Sequence, residues 1–540
     1  MRKKYRLIPL ILVALFFIVG CSSSKSSTHK KEVNLAMIAE LTSGDLTTVV
    51  DTNTFTMLKN VQEGLYRFDE NNRLQKALVK EDPEVSEDKM TYTFHLREDA
   101  KWSNGDSVTA RDFEYGWKRM CDPKIGASGA YFFDNVIKNA HQVLYEHAPM
   151  ETLGVKALDD YTLEVRLDRP IPYFLDLLAH ALYLPHNQKT IEKFGDKFGS
   201  SSETMVYNGP FVLKDWTGST LKWSYEKNPD YWDKDNVHVD KINIQVIKED
   251  ATGAHLFEAG KLDWVQLRGE YAKQYAQNPY FVSVPQNTSV YLTMNQTKKS
   301  LLRNKNLRLA ISHAYNRQPL TDQVLGDGSI PLGTVTPTNL VKLENGKDYT
   351  EEVSDQQKKD VALARTYLGR AKEELGQDQF ELEYLAVDDE SSKLTAEYLQ
   401  GQIQESLPGV KVIIKTVPAK SLYPTLGKLD YDMARTSWGP DFFDPSTFLD
   451  LFTSDSKYNF GKYKNTNYDY YVHQAKFEHA KDNNLRLEDM KKAESLFLQE
   501  AGVSTMYARA LATLHHPRLK KLFIDPLTGQ QTYKFIEISD

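Results

Sequence analysis

The sequence predicts a mixed α/β fold. Segments that alternate apolar and polar residues with period two are interleaved with segments of helical period, and helix caps and breakers fall between them. Composition agrees, since 41% of the 540 residues are apolar and 26% charged, the usage of a chain that builds a packed core. At roughly 100–200 residues per domain, the length suggests about three structural units.

The N-terminus reads as an export signal over residues 1–20. Arg2, Lys3, Lys4 and Arg6 supply a positive start, and residues 7–19 are apolar apart from Pro9, too short a run to span a bilayer as an ordinary helix. The signal ends in Ile18-Val19-Gly20-Cys21, which resembles a lipobox. That resemblance implies diacylation of Cys21, which becomes the first mature residue. Residues 21–32 then form a tether that opens with a run of Ser, Lys and Thr. The body is expected on the extracytoplasmic face of the cell membrane, held there by lipid. Cys121 is the one other cysteine, so the mature chain has no internal disulfide and Cys121 is expected in the core.

Along the body, Tyr92 to Arg97, Tyr161 to Leu167 and Ile242 to Val246 alternate as half-buried strands do. Thr109-Ala-Arg-Asp112 looks like a capping box with Asp for Glu, and Phe113 and Trp117 follow on one helical face. Leu307, Ala310, Ile311 and Ala314 mark a second helix. Leu394, Tyr398, Leu399, Ile403 and Leu407 mark a third, after which Pro408-Gly409 lead into Val410 to Ile414, an apolar run that reads as a buried strand. Met490, Ala493 and Phe497 before Gly502 mark a fourth helix.

Several function classes are disfavoured. A net charge of −7 argues against a nucleic-acid partner. The sequence has no His-Glu-x-x-His, Gly-x-Ser-x-Gly or Gly-x-x-x-x-Gly-Lys motif. His515 and His516 are adjacent, so on a strand their rings face opposite ways and share no metal. No catalytic residue, metal or cofactor is expected, although Asp441 and Asp444 stay open as an acid/base pair of an exported glycosidase.

The stretch from Glu87 to Phe113, EDKMTYTFHLREDAKWSNGDSVTARDF, resembles the signature block of extracytoplasmic peptide-binding proteins of ABC importers. Asn208-Gly209-Pro210-Phe211, Lys227-Asn228-Pro229-Asp230-Tyr231-Trp232, Phe257-Glu258-Ala259-Gly260-Lys261-Leu262-Asp263 and Asn306-Leu307-Arg308-Leu309-Ala310-Ile311-Ser312 resemble further motifs of this oligopeptide/dipeptide-binding family, the extracellular solute-binding proteins of family 5, in the family's order. The resemblance implies a two-lobed, periplasmic-binding-protein-like clamp of type II with an extra domain inserted in lobe 1. It places lobe 1 at 33–292 with the inserted domain at about 67–195, lobe 2 at 293–502, and a C-terminal return to lobe 1 at 503–540. Chain crossings are expected near Tyr291 to Asn295 and Gly502 to Tyr507.

A free peptide offers an α-ammonium, an α-carboxylate and a backbone of donors and acceptors, which a carboxylate, an Arg and an extended segment can read. The stretch from Arg435 to Pro445 contains all three. The family has an Asp three residues after a Trp that anchors the ligand's N-terminus, and the pattern lands on Trp438 and Asp441. Arg435 matches a position that meets the ligand C-terminus in some members, with an ion pair as its alternative role. Ser437 and Gly439 would offer main-chain bonds, while Pro440 removes a donor beside the anchor. Trp438 is expected to wall a side-chain pocket or to pack in lobe 2, and Asp444 to be a turn residue before Pro445.

The resemblance implies a monomeric receptor that takes short peptides and delivers them to an ABC importer's permease and ATPase. A signalling-peptide receptor, or a binder of a nickel chelate or haem, remains an alternative within the family.

Overall fold

The computed structural model describes residues 31–297 and 299–539. The expected signal peptide, Cys21 and most of the tether lie outside them.

The three alternating segments form strands Thr91–His95, Thr162–Arg166 and Lys241–Val246, each burying every second residue. Helix Ala110–Met120 starts at Thr109, whose N–H donates to Asp112 Oδ2 at 2.8 Å. That bond satisfies a backbone donor just outside the first turn. Phe113 and Trp117 are fully buried and meet edge to face. Cys121 ends this helix in the core, where burial pushes its thiol up to about 12. The other expected helices are Lys305–Ser312, Glu390–Ser406 and Asn483–Gln499.

One expectation needs correction. The apolar run from Val410 does form a strand, Val410–Val417, but it lies at the sheet's edge, with Lys411 and Ile413 exposed. Three consecutive β-branched residues satisfy strand propensity without deciding how many neighbours cover them.

The central sheet runs Val410–Val417, Phe380–Val387, Met433–Trp438, Phe281–Met294, Val503–His515, Trp264–Leu267, Glu32–Met37, Lys241–Val246, Lys222–Lys227, Phe211–Lys214, with Ile330–Pro331 added beside Val503–His515. The two longest strands, Phe281–Met294 and Val503–His515, sit side by side and antiparallel at its middle. Their register breaks between Pro285 and Ser289, a bulge that lets a long pair bend. Val290, Leu292, Met506 and Tyr507 pack in one core with the helices from 305 to 407, whereas Ala512 and Leu514 pack in another with Val265 and Leu267. The two strands therefore connect two lobes.

Lobe 1 holds a separate four-stranded sheet, Glu84–Val85, Thr91–His95, Thr162–Arg166 and Val155–Ala157. The block from Glu87 to Phe113 contributes the strand Thr91–His95 to this sheet and starts the helix Ala110–Met120 beside it. Its Trp102 is fully buried and donates through Nε1 to Asp112. The chain's end returns to the same lobe, where Asn60 Nδ2 donates to Gln531 O at 2.8 Å and the Tyr533 N–H donates to Asn60 Oδ1 at 2.7 Å.

The lobes touch at both rims of the cleft between them. On one side Phe443 of lobe 2 meets Phe68 edge to face at 5.2 Å. On the other, Glu390 of lobe 2 reaches Gly269, whose φ of +50° suits glycine and where a Cβ would collide with the Glu390 carboxylate.

Candidate functional site

Strand Met433–Trp438 organises the lobe-2 wall of the cleft. One edge pairs with Phe281–Met294 along its full length, from Met433 opposite Met294 to Trp438 opposite Ser289. The other edge pairs with Phe380–Val387 only at Met433 and Ala434. From Arg435 to Trp438 that edge has no strand partner among the described residues. Its free N–H and C=O groups can take an added extended segment whatever that segment's side chains.

Beyond the strand, Gly439 is exposed and packs close to Thr288 and to the Leu527 carbonyl of the C-terminal return. Pro440 is buried and brings Asp441 back toward lobe 1. The Asp441 N–H donates to Thr447 Oγ1 at 3.0 Å. Its carboxylate forms no ion pair among the described residues. Burial pushes its pKa up to about 7, opposed by a hydrogen bond to Thr447. Such a carboxylate is costly when ionised and is relieved by an arriving cation. From lobe 1, Tyr131 comes near enough that burial, followed by the Asp441 charge, raises its phenol pKa.

Asp444 is differently placed. It is buried, its Oδ1 accepts from Arg486 Nη1 at 3.0 Å and from the Ser446 N–H at 3.0 Å, and its Oδ2 pairs with Arg486 Nη2. The carboxylate is consumed by this bidentate pair and its own turn, so it is no free partner for Asp441 in acid/base chemistry.

Three of the expected site residues, Arg435, Ser437 and Trp438, divide between two cavities, and Gly439 lines neither. Ser437 and Trp438 line a small enclosed one of about 20 Å³ with Tyr291, Tyr423, Phe452 and Tyr458. The Trp438 and Tyr458 rings stand 5.1 Å apart, and Trp438 Nε1 is buried without a hydrogen-bond partner. Trp438 thus both walls a pocket and packs against the lobe-2 core. Arg435 lines the main cavity, about 660 Å³ between the lobes, a size typical of small-ligand sites. Its Nη1 donates to Ser392 Oγ at 3.0 Å, and it makes no ion pair among the described residues. Asp441 lines neither cavity and stands past the end of the strand.

Sequence reasoning missed Tyr131, Gln286 and Arg509. The last had a signal: it is the one charge in the run of apolar and small residues from Val503 to Leu514. His515 and His516 engage different partners, the Leu519 carbonyl and the Arg518 N–H.

The family model described as bacterial extracellular solute-binding proteins, family 5, matches residues 73–460. The chain is 34% identical over 473 residues to a protein of Lactococcus lactis named dipeptide-binding protein, covering 85% of each. Among solved structures, Listeria monocytogenes OppA bound to peptide is similar with a TM-score of 0.78 at 37% identity, covering 95% of this chain and 100% of that one. The pheromone receptor PrgZ is similar with a TM-score of 0.79 at 36% identity, covering 95% of this chain and 100% of that one.

Proposed function

Because the chain belongs to the bacterial extracellular solute-binding proteins of family 5, we propose that it captures a short peptide between its lobes and delivers it to an ABC importer. One observation carries this reading: a partly buried carboxylate without a cation, Asp441, follows a strand whose edge from Arg435 to Trp438 is unpaired. The carboxylate takes the peptide's α-ammonium and the strand edge takes its backbone. Neither contact reads side chains, so many sequences fit. Clamping is then a population shift, limited by how much better the closed state binds than the open one.

The lobes in this reading are 33–292, with the inserted domain at about 67–195, and 293–502, with 503–540 returning to lobe 1. A diacylated Cys21 holds a monomeric receptor on the outer face of the cell membrane, and the protein performs no covalent chemistry. The likeness to PrgZ supports a second reading, in which the peptide is a signal rather than a nutrient.

Calorimetry on ligand-stripped protein with free and N-acetylated peptides tests the anchor. Breaking one side of a buried pair costs about 3–5 kcal/mol, so Asp441→Asn weakens free peptides by a hundredfold or more. The acetylated peptide already binds wild type poorly and loses little more. Equal binding of both peptides by both proteins would refute the anchor.

A further inference from the structure

Beside the Tyr173–Phe442 contact, the seam between the lobes brings two carboxylates together with a guanidinium that serves only one of them. Asp176 is the one carboxylic acid in the apolar run from Ile171 to Pro185 of lobe 1. It lies in the short helix Phe174–Leu177, three residues after Tyr173, whose carbonyl accepts from the Leu177 N–H at 3.2 Å. Residues three apart on a helical turn share a face. Tyr173 is stacked on Phe442 of lobe 2, so that face is turned toward lobe 2. Phe442 and Phe443 in turn pack against the lobe-1 core. Asp444 follows two residues after Phe442, buried, with its N–H donating to the Phe442 carbonyl at 2.9 Å.

The guanidinium is already taken. Arg486, on the helix Asn483–Gln499, holds both oxygens of Asp444, and Asp444 Oδ1 also accepts from the Ser446 N–H and hydroxyl. Asp176 makes no ion pair and no side-chain hydrogen bond among the described residues. The other titratable groups around it are engaged elsewhere or uncharged. Asp441, on the same lobe-2 loop, acts on Tyr131 and Tyr183. Asp489, a turn beyond Arg486, pairs with His479 and Lys492. Tyr92, against Phe174 on the core side, is a phenol whose pKa burial raises. His180, one turn on from Asp176, stacks on Phe132 at 4.4 Å, and burial pushes its pKa down to about 3. Further along the seam Arg169 stands over Phe477 at 6.0 Å, and Lys89 donates to the Lys481 carbonyl at 3.2 Å. Burial, and after it the Asp444 charge, pushes the Asp176 carboxyl up to about 6.

We propose that Asp176 is a proton-operated gate on lobe closure: ionised, it resists burial against Asp444, and protonated, it lets the seam shut. When the lobes part, water reaches Asp176 and its carboxyl returns to the ordinary aspartate value of about 3.9. Closure therefore takes up a proton. Below about pH 4 Asp176 is neutral in both forms and does not oppose closure. From about pH 4 to about 6 the open form ionises while the closed form stays protonated, so closure is opposed progressively, and above this window the opposition is complete. The Asp444–Arg486 pair lies within lobe 2 and moves with it, so no cation arrives to relieve Asp176. The gate belongs to the clamp rather than to the ligand, and it stands whether or not the ligand is a peptide. It biases the empty receptor toward the closed form in acidic surroundings.

The test uses the full chain, stripped of ligand, in an Asp441→Asn background that removes the other raised carboxylate beside the seam. Small-angle scattering reads the radius of gyration from about pH 4 to about 8. The closed-to-open ratio is expected to fall about 10- to 100-fold as pH rises across the window, the range that a shift of one to two pKa units allows. The protein is then more compact at the acidic end. Adding Asp176→Asn flattens the profile, and Asp176→Glu, which keeps the titrating group, retains it. Melting curves over the same range establish that the variants fold, and the profile of the Asp441→Asn protein is decisive without them. A radius independent of pH, a protein that expands toward acid pH, or a profile unchanged by Asp176→Asn overturns the gate and leaves the peptide-binding reading standing.

Discussion

Phe442 of lobe 2 lies flat on Tyr173 of lobe 1, with ring centroids 3.9 Å apart and planes 4° from parallel. The two residues are far apart in sequence, and the contact exists only when the cleft is closed on that side. An aromatic pair contributes about 0.5–1.5 kcal/mol beyond the area it buries. Phe442→Ala is therefore expected to favour the open form and weaken peptide binding about 2- to 10-fold. Small-angle scattering should show a larger radius of gyration at subsaturating peptide. A variant that matches wild type in both measurements would show that the stack contributes nothing to closure.

Asp441 makes binding depend on pH. Its pKa is pushed up to about 7 in the folded, empty protein by burial, against about 3.9 in an unfolded chain. Below about pH 4 the carboxyl is neutral in both states and folding carries no charge penalty. As pH rises from about 4 to about 7, the unfolded chain ionises this group while the desolvated folded one stays protonated, so that stability is lost progressively across this window and is gone above it. Asp441→Asn should therefore match wild type in melting temperature near pH 4 and exceed it by a few degrees at pH 8 without peptide. Saturating free peptide supplies an ammonium to wild type alone and should reverse the order. For wild type, free-amine peptides should bind more weakly as pH falls below about 7, and binding at pH 6 should release protons. Calorimetry in two buffers of different ionisation enthalpy reads that release directly.

The Asp444–Arg486 pair is structural. Arg486→Met leaves Asp444 buried beside Asp176, whose carboxyl is already pushed up to about 6 by burial and by Asp444. Breaking a buried pair from one side costs about 3–5 kcal/mol. Chemical denaturation should show a loss of that order, and Asp444→Leu combined with Arg486→Met should recover much of it. The ratio of free to N-acetylated peptide affinity should stay at the wild-type value wherever the variants fold. A changed ratio would mean that Asp444 does meet the ligand.

Cys21→Ser should abolish lipidation. A diacylated cysteine meets the two-chain requirement for stable membrane attachment. The variant is expected in the soluble fraction or unprocessed at the membrane, as read by fractionation and N-terminal mass. A normally processed, membrane-bound variant would rule out the lipid anchor.

The features that could be read from the chain alone are local. The Thr109–Asp112 cap, the period-two strands around Phe94, Leu163 and Ile244, and the burial of Cys121 follow from neighbours a few residues away, which pattern and propensity read directly. Trp438 and Asp441 were singled out differently, by resemblance to a family motif in which an Asp follows a Trp by three residues. The tertiary structure decided what lies opposite each of these residues. Val410–Val417 looked buried because its own run of residues is rich in apolar ones, yet its exposure depends on whether a further strand joins the sheet, and none does among the described residues. Asp441 and Asp444 carry the same side chain three residues apart, yet one is consumed by Arg486 and the other is left without a cation. The charge state of a carboxylate depends on how much water and which charges the folded chain leaves around it. Those neighbours come from distant segments: Arg486 from lobe 2, Tyr131 and Tyr173 from lobe 1. Arg435 and Arg509, 74 positions apart, become a pair only because the crossing strand brings one lobe's cation to the other's wall.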